Sequence, residues 1–182
     1  MKKERFEAIN DAVLAIIITI MVLEIKLPEL SLDNILSIFQ YILIYAVSFV
    51  SIAILWINHH HIFINVEEVE IKIVWINFGL LFFTSLIPMA TEHLSMNIHE
   101  KANHIFFGVI FSIVILFYTL IQHLVFKVYH AEIKQKINIR NWIAVIFFLL
   151  SIPLSFISLY LSIAIFLLVP LMYFLISNKV KK

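Results

Sequence analysis

Residues 141–178 run for 38 positions without a charged side chain. At about 1.5 Å per residue, one helix of that length would reach roughly 57 Å, close to twice the ~30 Å hydrocarbon core of a bilayer. The stretch is too long for one membrane helix and about right for two with a tight turn. Pro153 and the serine-rich "SIPLSFIS" place that turn near Ser155 to Ser158. Further uncharged runs cover 35–57, 73–91 and 105–126. With the opening segment they predict an all-α membrane protein of six transmembrane helices, at approximately 6–27, 34–60, 71–91, 104–128, 141–156 and 159–178. Together these make a single transmembrane domain over 1–182. Composition agrees: 14% of residues are charged, against about 25% in an ordinary soluble domain. Two glycines and four prolines are too few for the turns of a β-barrel.

Several function classes fall away at once. A net charge of +1 gives no case for a nucleic-acid partner. The chain has no cysteine, hence no disulfide, thiolate metal site or cysteine nucleophile. The start, "MKKERFEAIND", imitates a signal peptide, but Asp11 lies inside the would-be apolar region and no small-residue cleavage site follows before Glu24. The segment reads as retained.

Basic residues set the orientation. Six spans put both termini on one side, with Lys2, Lys3, Arg5, Lys72, Lys127, Lys134, Lys136, Arg140, Lys179, Lys181 and Lys182. The other side holds Lys26 and Lys101. Both termini are therefore expected in the cytoplasm. Isoleucine- and lysine-rich usage suggests a multi-pass protein of a bacterial plasma membrane.

The first span is unusual. Only residues 12–23 lie between Asp11 and Glu24, roughly 18 Å of helix against the ~30 Å core. With about 100° per residue and Ile16 as zero, Ile9, Ala12, Ile20 and Leu23 fall within about 40° of it. Thr19 lies about 60° off and Asp11 about 140° away. The helix thus has an apolar stripe with one hydroxyl and an ionisable group opposite. Two readings stand. Either the helix ends early and Asp11 caps it at the headgroups, or other helices shield it from lipid, since a charge facing acyl chains is costly. Thr19 has a bland role available, a bond to the carbonyl four residues back, that of Ala15.

"WINHHHIF", Trp56 to Phe63, closes the second span, with Glu67, Glu68 and Glu70 following. A metal site is disfavoured, because adjacent helical residues point about 100° apart. The alternatives are an interfacial polar cap, or His59 or His60 turning inward to pair with Asp11 or a backbone carbonyl. In "WINFGLLFFTSLIPMAT", Trp75 suits an interface, Asn77 is a buried amide bonding between helices, and Pro88 kinks or ends the span. The last two spans hold little that is polar beyond serine and tyrosine, so lipid contact is their expected role.

Arg5, three residues, then Ile9-Asn10-Asp11-Ala12 resembles the Arg-x-x-x-Phe-Ser-Asp signature that opens the first helix of the transmembrane protein 175 family. "AVLAIIITIMVLEIKLP", "WINHHHIF" and "WINFGLLFFTSLIPMAT" resemble its first three helices, and the six-helix layout with cytoplasmic termini is similar throughout. Ile9 stands for the signature Phe and Asn10 for the Ser, which puts in doubt any network needing a small hydroxyl there. The resemblance implies a potassium channel, a homotetramer whose first helices surround the ion path. It places pore-lining positions on Ile16, Thr19, Ile20 and Leu23, the stripe already found from angles. Ile16, Ile20 and Leu23 would constrict the pore, and Thr19 would offer a hydroxyl ring to a transient, partly dehydrated K⁺. Arg5, Asn10, Asp11, Trp56, His59, His60 and Asn77 would form a supporting network.

The chain contains no Thr-Val-Gly-Tyr-Gly loop, so a filter of stacked backbone carbonyls is excluded. Side chains and pore radius must set a weak-to-moderate preference for potassium over sodium. No cofactor is expected; the partners are K⁺ ions, the bilayer and sister copies of the chain. A proton channel or a proton-coupled secondary transporter using Asp11 and a histidine is the alternative, although no internal repeat or broken central helix of the transporter kind stands out. A membrane enzyme using the histidines as a metal site is the other rival class.

Overall fold

The computed structural model describes residues 1–129 and 136–177. Lys134, Lys179, Lys181 and Lys182, used above for orientation, and Asn178, the expected end of the last helix, lie outside the described residues. The helices are α1 (Lys3–Glu24), α2 (Ile35–Ile62), α3 (Ile71–Thr84), α4 (Ile87–Met96), α5 (Lys101–Tyr129), α6 (Lys136–Ile157) and α7 (Leu159–Ser177). Five helical units are long and apolar enough to cross a membrane: α1, α2, α3 with α4, α5, and α6 from Ile139. In α7 the apolar stretch Leu159–Tyr173 is shorter.

The third span differs from expectation. Instead of one helix over 71–91, α3 stops at Thr84 and α4 carries the chain on to Met96. Pro88, in the first turn of α4, explains the break. It has no N–H to give the Thr84 carbonyl, and its ring crowds that carbonyl. The interruption is repaired locally, with the Ser85 N–H bonding the Leu81 carbonyl at 2.9 Å and the Leu86 N–H that of Phe83 at 3.2 Å.

The turn between α4 and α5 is built by side chains. Asn103 Nδ2 donates to the carbonyls of His93 (2.8 Å) and Asn97 (2.9 Å), which ties the start of α5 to the end of α4 beside the backbone bonds those carbonyls already accept. His104, fully buried, bonds the Ile98 carbonyl through Nε2 at 2.7 Å.

Ser158 alone separates α6 from α7. The two helices return on each other, since Phe148 meets Phe166 and Asn141 meets Tyr173. Pro153 sits inside α6 rather than at the turn. The expectation that these two helices serve lipid contact is incomplete. Their outer faces are apolar and exposed, but their inner faces bury Asn141, Ser151, Ser155, Ser162 and Tyr173. Tyr173 donates to Asn141 Oδ1 at 2.8 Å, and Asn141 Nδ2 donates to Gln122 Oε1 on α5 at 2.7 Å. Runs of apolar residues conceal such a face, because an amide at one end of 38 uncharged positions scarcely alters the hydropathy.

α5 is the central post, packing against α2, α3, α4, α6 and α7. Lipid removes the hydrophobic drive for helices to associate, so close packing and interhelical hydrogen bonds carry that load. Phe107 stacks on Phe111 at 4.4 Å and meets Phe166 at 4.6 Å, and Phe111 stacks on Phe148 at 5.2 Å. Gly108 lets α6 approach: a Cβ there would lie 2.7 Å from Ser151 Oγ and 3.3 Å from the Phe148 carbonyl oxygen. Because one of those neighbours is backbone, a side chain at this position must push the helices apart. Gly108→Val is expected to destabilise the protein by about 1–3 kcal/mol, read as a fall in the thermal midpoint of the detergent-solubilised chain. An unchanged midpoint would mean that α5 and α6 do not meet here.

Candidate functional site

α1 is fastened to the rest of the chain by one face. Phe6, Asn10, Leu14, Ile17 and Met21 are its buried residues, spaced by four, four, three and four, the pattern of a single helical stripe. Phe6 anchors the N-terminal end, lying 5.7 Å from the His59 ring and 4.8 Å from Phe63. The helix contacts α2, α3 and α4.

The other expected stripe lies roughly 130° around the helix from this face, and within one chain it is uncovered. Ile16 is 55% exposed, Ile20 41% and Leu23 79%. Thr19 is exposed, and its hydroxyl donates to the carbonyl of Ile16 at 2.9 Å, one residue nearer than the Ala15 carbonyl considered from sequence. That bond uses the hydroxyl hydrogen and leaves oxygen lone pairs free to face a cation. Beside the upper stripe, a cleft of about 570 Å³ opens between α1 and the α3–α4 break. Ile16 and Ile20 line it with the polar groups Glu24, Ser85, Glu92 and His93. Lys26 reaches over to Glu92 at 3.2 Å.

On the far edge of α1, Asp11 is exposed and accepts a hydrogen bond from Trp56 Nε1 at 2.7 Å. Asp11 lies inside α1 rather than at its cap, and its carboxylate, though exposed, is bonded from α2 through the indole rather than a histidine. His59 instead turns into the bundle, 1% exposed, with Nε2 3.0 Å from Asn77 Oδ1 on α3. His60 Nδ1 lies 3.2 Å from Glu7 Oε1. The two histidines therefore part company because neighbours on a helix point about 100° apart. Among the described residues, no three His, Asp or Glu side chains converge as a metal site would need.

The structure thus brings Asp11, Trp56, His59, His60 and Asn77 to one end of a seam between α1, α2 and α3. It does not bring Arg5 there. Arg5 is exposed and makes no ion pair or hydrogen bond among the described residues. Asn10 is buried, and its side-chain oxygen has no hydrogen-bond partner, so the residue standing where the signature has Ser occupies the seam without joining its network. Two members were missed from sequence, Phe6 and Glu7. The four-three spacing that continues from Phe6 through Met21 was the available signal for the first. Glu7 carries no signal beyond its place one turn before Asp11.

Residues 5–88 match the family model of the endosomal/lysosomal potassium channel TMEM175. A protein of Chryseobacterium sp. (strain P1-3), named as a potassium channel, is 35% identical over 190 residues, covering 100% of this chain and 97% of that one. A second, from Chamaesiphon minutus and likewise named a potassium channel, is 31% identical over 96% of this chain and 94% of its own length. The crystal structure of a lysosomal potassium-selective channel TMEM175 homolog from Chamaesiphon minutus superposes with a TM-score of 0.82 at 28% identity, covering 96% of this chain and 97% of that one. The chain is a multi-pass membrane protein that belongs to the TMEM175 family, whose members are ion channels and not enzymes.

Proposed function

We propose that four copies of this chain assemble in a bacterial plasma membrane, both termini cytoplasmic, around a central pore lined by α1, and that the assembly conducts potassium with a weak-to-moderate preference over sodium. The observation that carries this reading is the arrangement of α1. One face is locked to the chain and one edge is bonded to Trp56, while the stripe of Ile16, Thr19, Ile20 and Leu23 is left bare. A helix with acidic groups at both ends of only about 18 Å of apolar length is a poor wall against lipid. Sister copies of the same helix, with water between them, suit it better. The likeness to the potassium-selective channel homolog of Chamaesiphon minutus supports potassium as the permeant ion.

In that assembly Ile16, Ile20 and Leu23 form apolar rings, and a narrow apolar neck dewets and resists ion passage. The Thr19 ring sits among them. Each hydroxyl has already given its hydrogen to the Ile16 carbonyl, so the ring offers oxygen acceptors to a cation that has shed part of its water. Four hydroxyls replace fewer water ligands than a carbonyl cage, which is why discrimination is modest. Glu24 beside the outer end of the stripe raises the local concentration of cations, whereas Glu92 is paired with Lys26. Trp56 and Asp11 fix the rotation of α1, and so which residues face the axis.

Three measurements test this. In planar bilayers under bi-ionic potassium and sodium conditions, the reversal potential is expected to lie towards potassium; a reversal at the chloride equilibrium would refute cation conduction, and one set by the pH gradient would turn the assignment to protons. Thr19→Ala is expected to lower the potassium preference while leaving the thermal midpoint unchanged, and selectivity equal to that of the parent would remove Thr19 from the mechanism. Leu23→Ser is expected to raise unitary conductance by wetting the neck. If current is unaffected, Leu23 does not face the ion path.

A further inference from the structure

Away from α1, the cytoplasmic ends of α2, α5, α6 and α7 enclose a polar layer that the pore does not use. Its centre is Arg140, 8% exposed. The guanidinium carbon lies 4.3 Å over the Tyr173 ring, and Nη2 reaches Asn58 Oδ1 at a long 3.4 Å. Among the described residues no carboxylate pairs with it. A buried cation held, among the described residues, by a ring face and one neutral amide is short of what it loses in leaving water. The surrounding groups share the same imbalance. Arg140 Nε, Gln122 Nε2 and Tyr118 Oη are buried without a hydrogen-bond partner. All three are donors, and Tyr118 and Gln122 sit one turn apart on α5. The natural acceptors are already taken: Gln122 Oε1 by Asn141, and Asn141 Oδ1 by Tyr173.

Next to this layer lies a cavity of about 50 Å³, lined by Asn58, Tyr118 and Tyr173 at its polar end and by Ile52, Phe111 and Val169 elsewhere. Its wall includes the half-buried Ser51, Ile54 and Ile115, so it reaches the surface that faces acyl chains. A surplus of donors around an arginine with no carboxylate partner among the described residues, whose contacts Asn58 and Tyr173 line an apolar slot, has the chemistry of a site for an anion attached to a hydrocarbon tail. Basic pockets between membrane helices at the cytoplasmic side hold lipid headgroups in this way.

We infer that the phosphate of an anionic glycerophospholipid binds Arg140 between α2, α6 and α7, with Tyr118 as a second donor and the start of one acyl chain in the adjoining cavity. The guanidinium fork matches phosphate oxygens two at a time. The bound lipid would bridge α2 to the α6–α7 hairpin.

The test uses the full chain, purified in detergent and titrated separately with phosphatidylglycerol, phosphatidylcholine and inorganic phosphate, read by native mass spectrometry and thermal midpoint. Phosphatidylglycerol is expected to add one lipid mass per chain and raise the midpoint, while phosphatidylcholine does neither. Arg140→Gln is expected to weaken retention roughly ten- to a hundredfold, the loss of a charge-assisted hydrogen bond. Arg140→Lys, which keeps the charge without the fork, should lose less. Tyr118→Phe removes one buried, unpartnered hydroxyl at nearly constant volume, so it keeps the test open if Arg140→Gln does not fold; it too should bind lipid more weakly. Stabilisation by inorganic phosphate alone would overturn the lipid assignment in favour of a free anion. Equal retention of both lipids, or retention unchanged in Arg140→Lys and Tyr118→Phe, would overturn the site and leave the layer to ordered water.

Discussion

The bond between Trp56 Nε1 and Asp11 Oδ1, at 2.7 Å, decides how α1 stands in the structure. A carboxylate this far into a membrane segment must find a donor or turn towards water. Taking its donor from α2 fixes the rotation of α1, because the buried stripe from Phe6 to Met21 then faces the bundle. With those two directions occupied, the face bearing Ile16, Thr19, Ile20 and Leu23 has nowhere to go but outward. The bare stripe is thus a consequence of where α1 is held, and needs no further interaction to explain it.

The same logic operates throughout the fold. Apolar side chains in a bilayer gain little by leaving lipid for protein, so the register between helices depends on packing and on a few polar pairs. Three helix pairs show this. His59 and Asn77 join α2 to α3 at 3.0 Å, Ser48 and Thr91 join α2 to α4 at 2.7 Å, and Asn141 with Gln122 joins α6 to α5 at 2.7 Å. A slip of one residue along any of these helices would rotate its polar group by about 100° and strand it against hydrocarbon. Individual bonds of this kind average well under 1 kcal/mol in membranes. Their value here lies in selecting among alternatives that the apolar contacts leave nearly equal.

This division explains what the sequence made legible. Uncharged runs and the 3.6-residue period report a helix's existence and its faces, since both are properties of one segment. They placed the spans of α2 and α5, the hairpin after residue 140, and the stripe on α1. Partner choice is a property of two segments at once. Nothing in "WINHHHIF" says that His59 will meet Asn77 while the Asp11 carboxylate goes to Trp56, for that depends on the height of α2 relative to α1 and α3. The break at Ser85–Leu86 was only partly legible: Pro88 announced an interruption, but not that the helix would resume through Met96. Asn141 and Tyr173 were overlooked for a different reason. In a run of apolar residues a lone amide looks incidental, yet that is where an unpaired polar group is most costly and a partner most certain to exist.

Two parts of the chain therefore carry different loads. The α5–α6–α7 side is knit by stacked aromatic rings, a close approach at Gly108 and an amide relay, so its helices have little freedom to turn. α1 is held by a narrower seam, with polar contacts gathered at its N-terminal half, from Glu7–His60 to Asp11–Trp56. Towards its other end, a cleft of about 570 Å³ opens beside Ile16 and Ile20, yet α1 is backed there by α4, with Ile17 and Met21 buried. Polar bonds set the rotation of α1 at one end and apolar packing keeps it along the rest, so the exposed stripe stays on one side from Ile16 to Leu23.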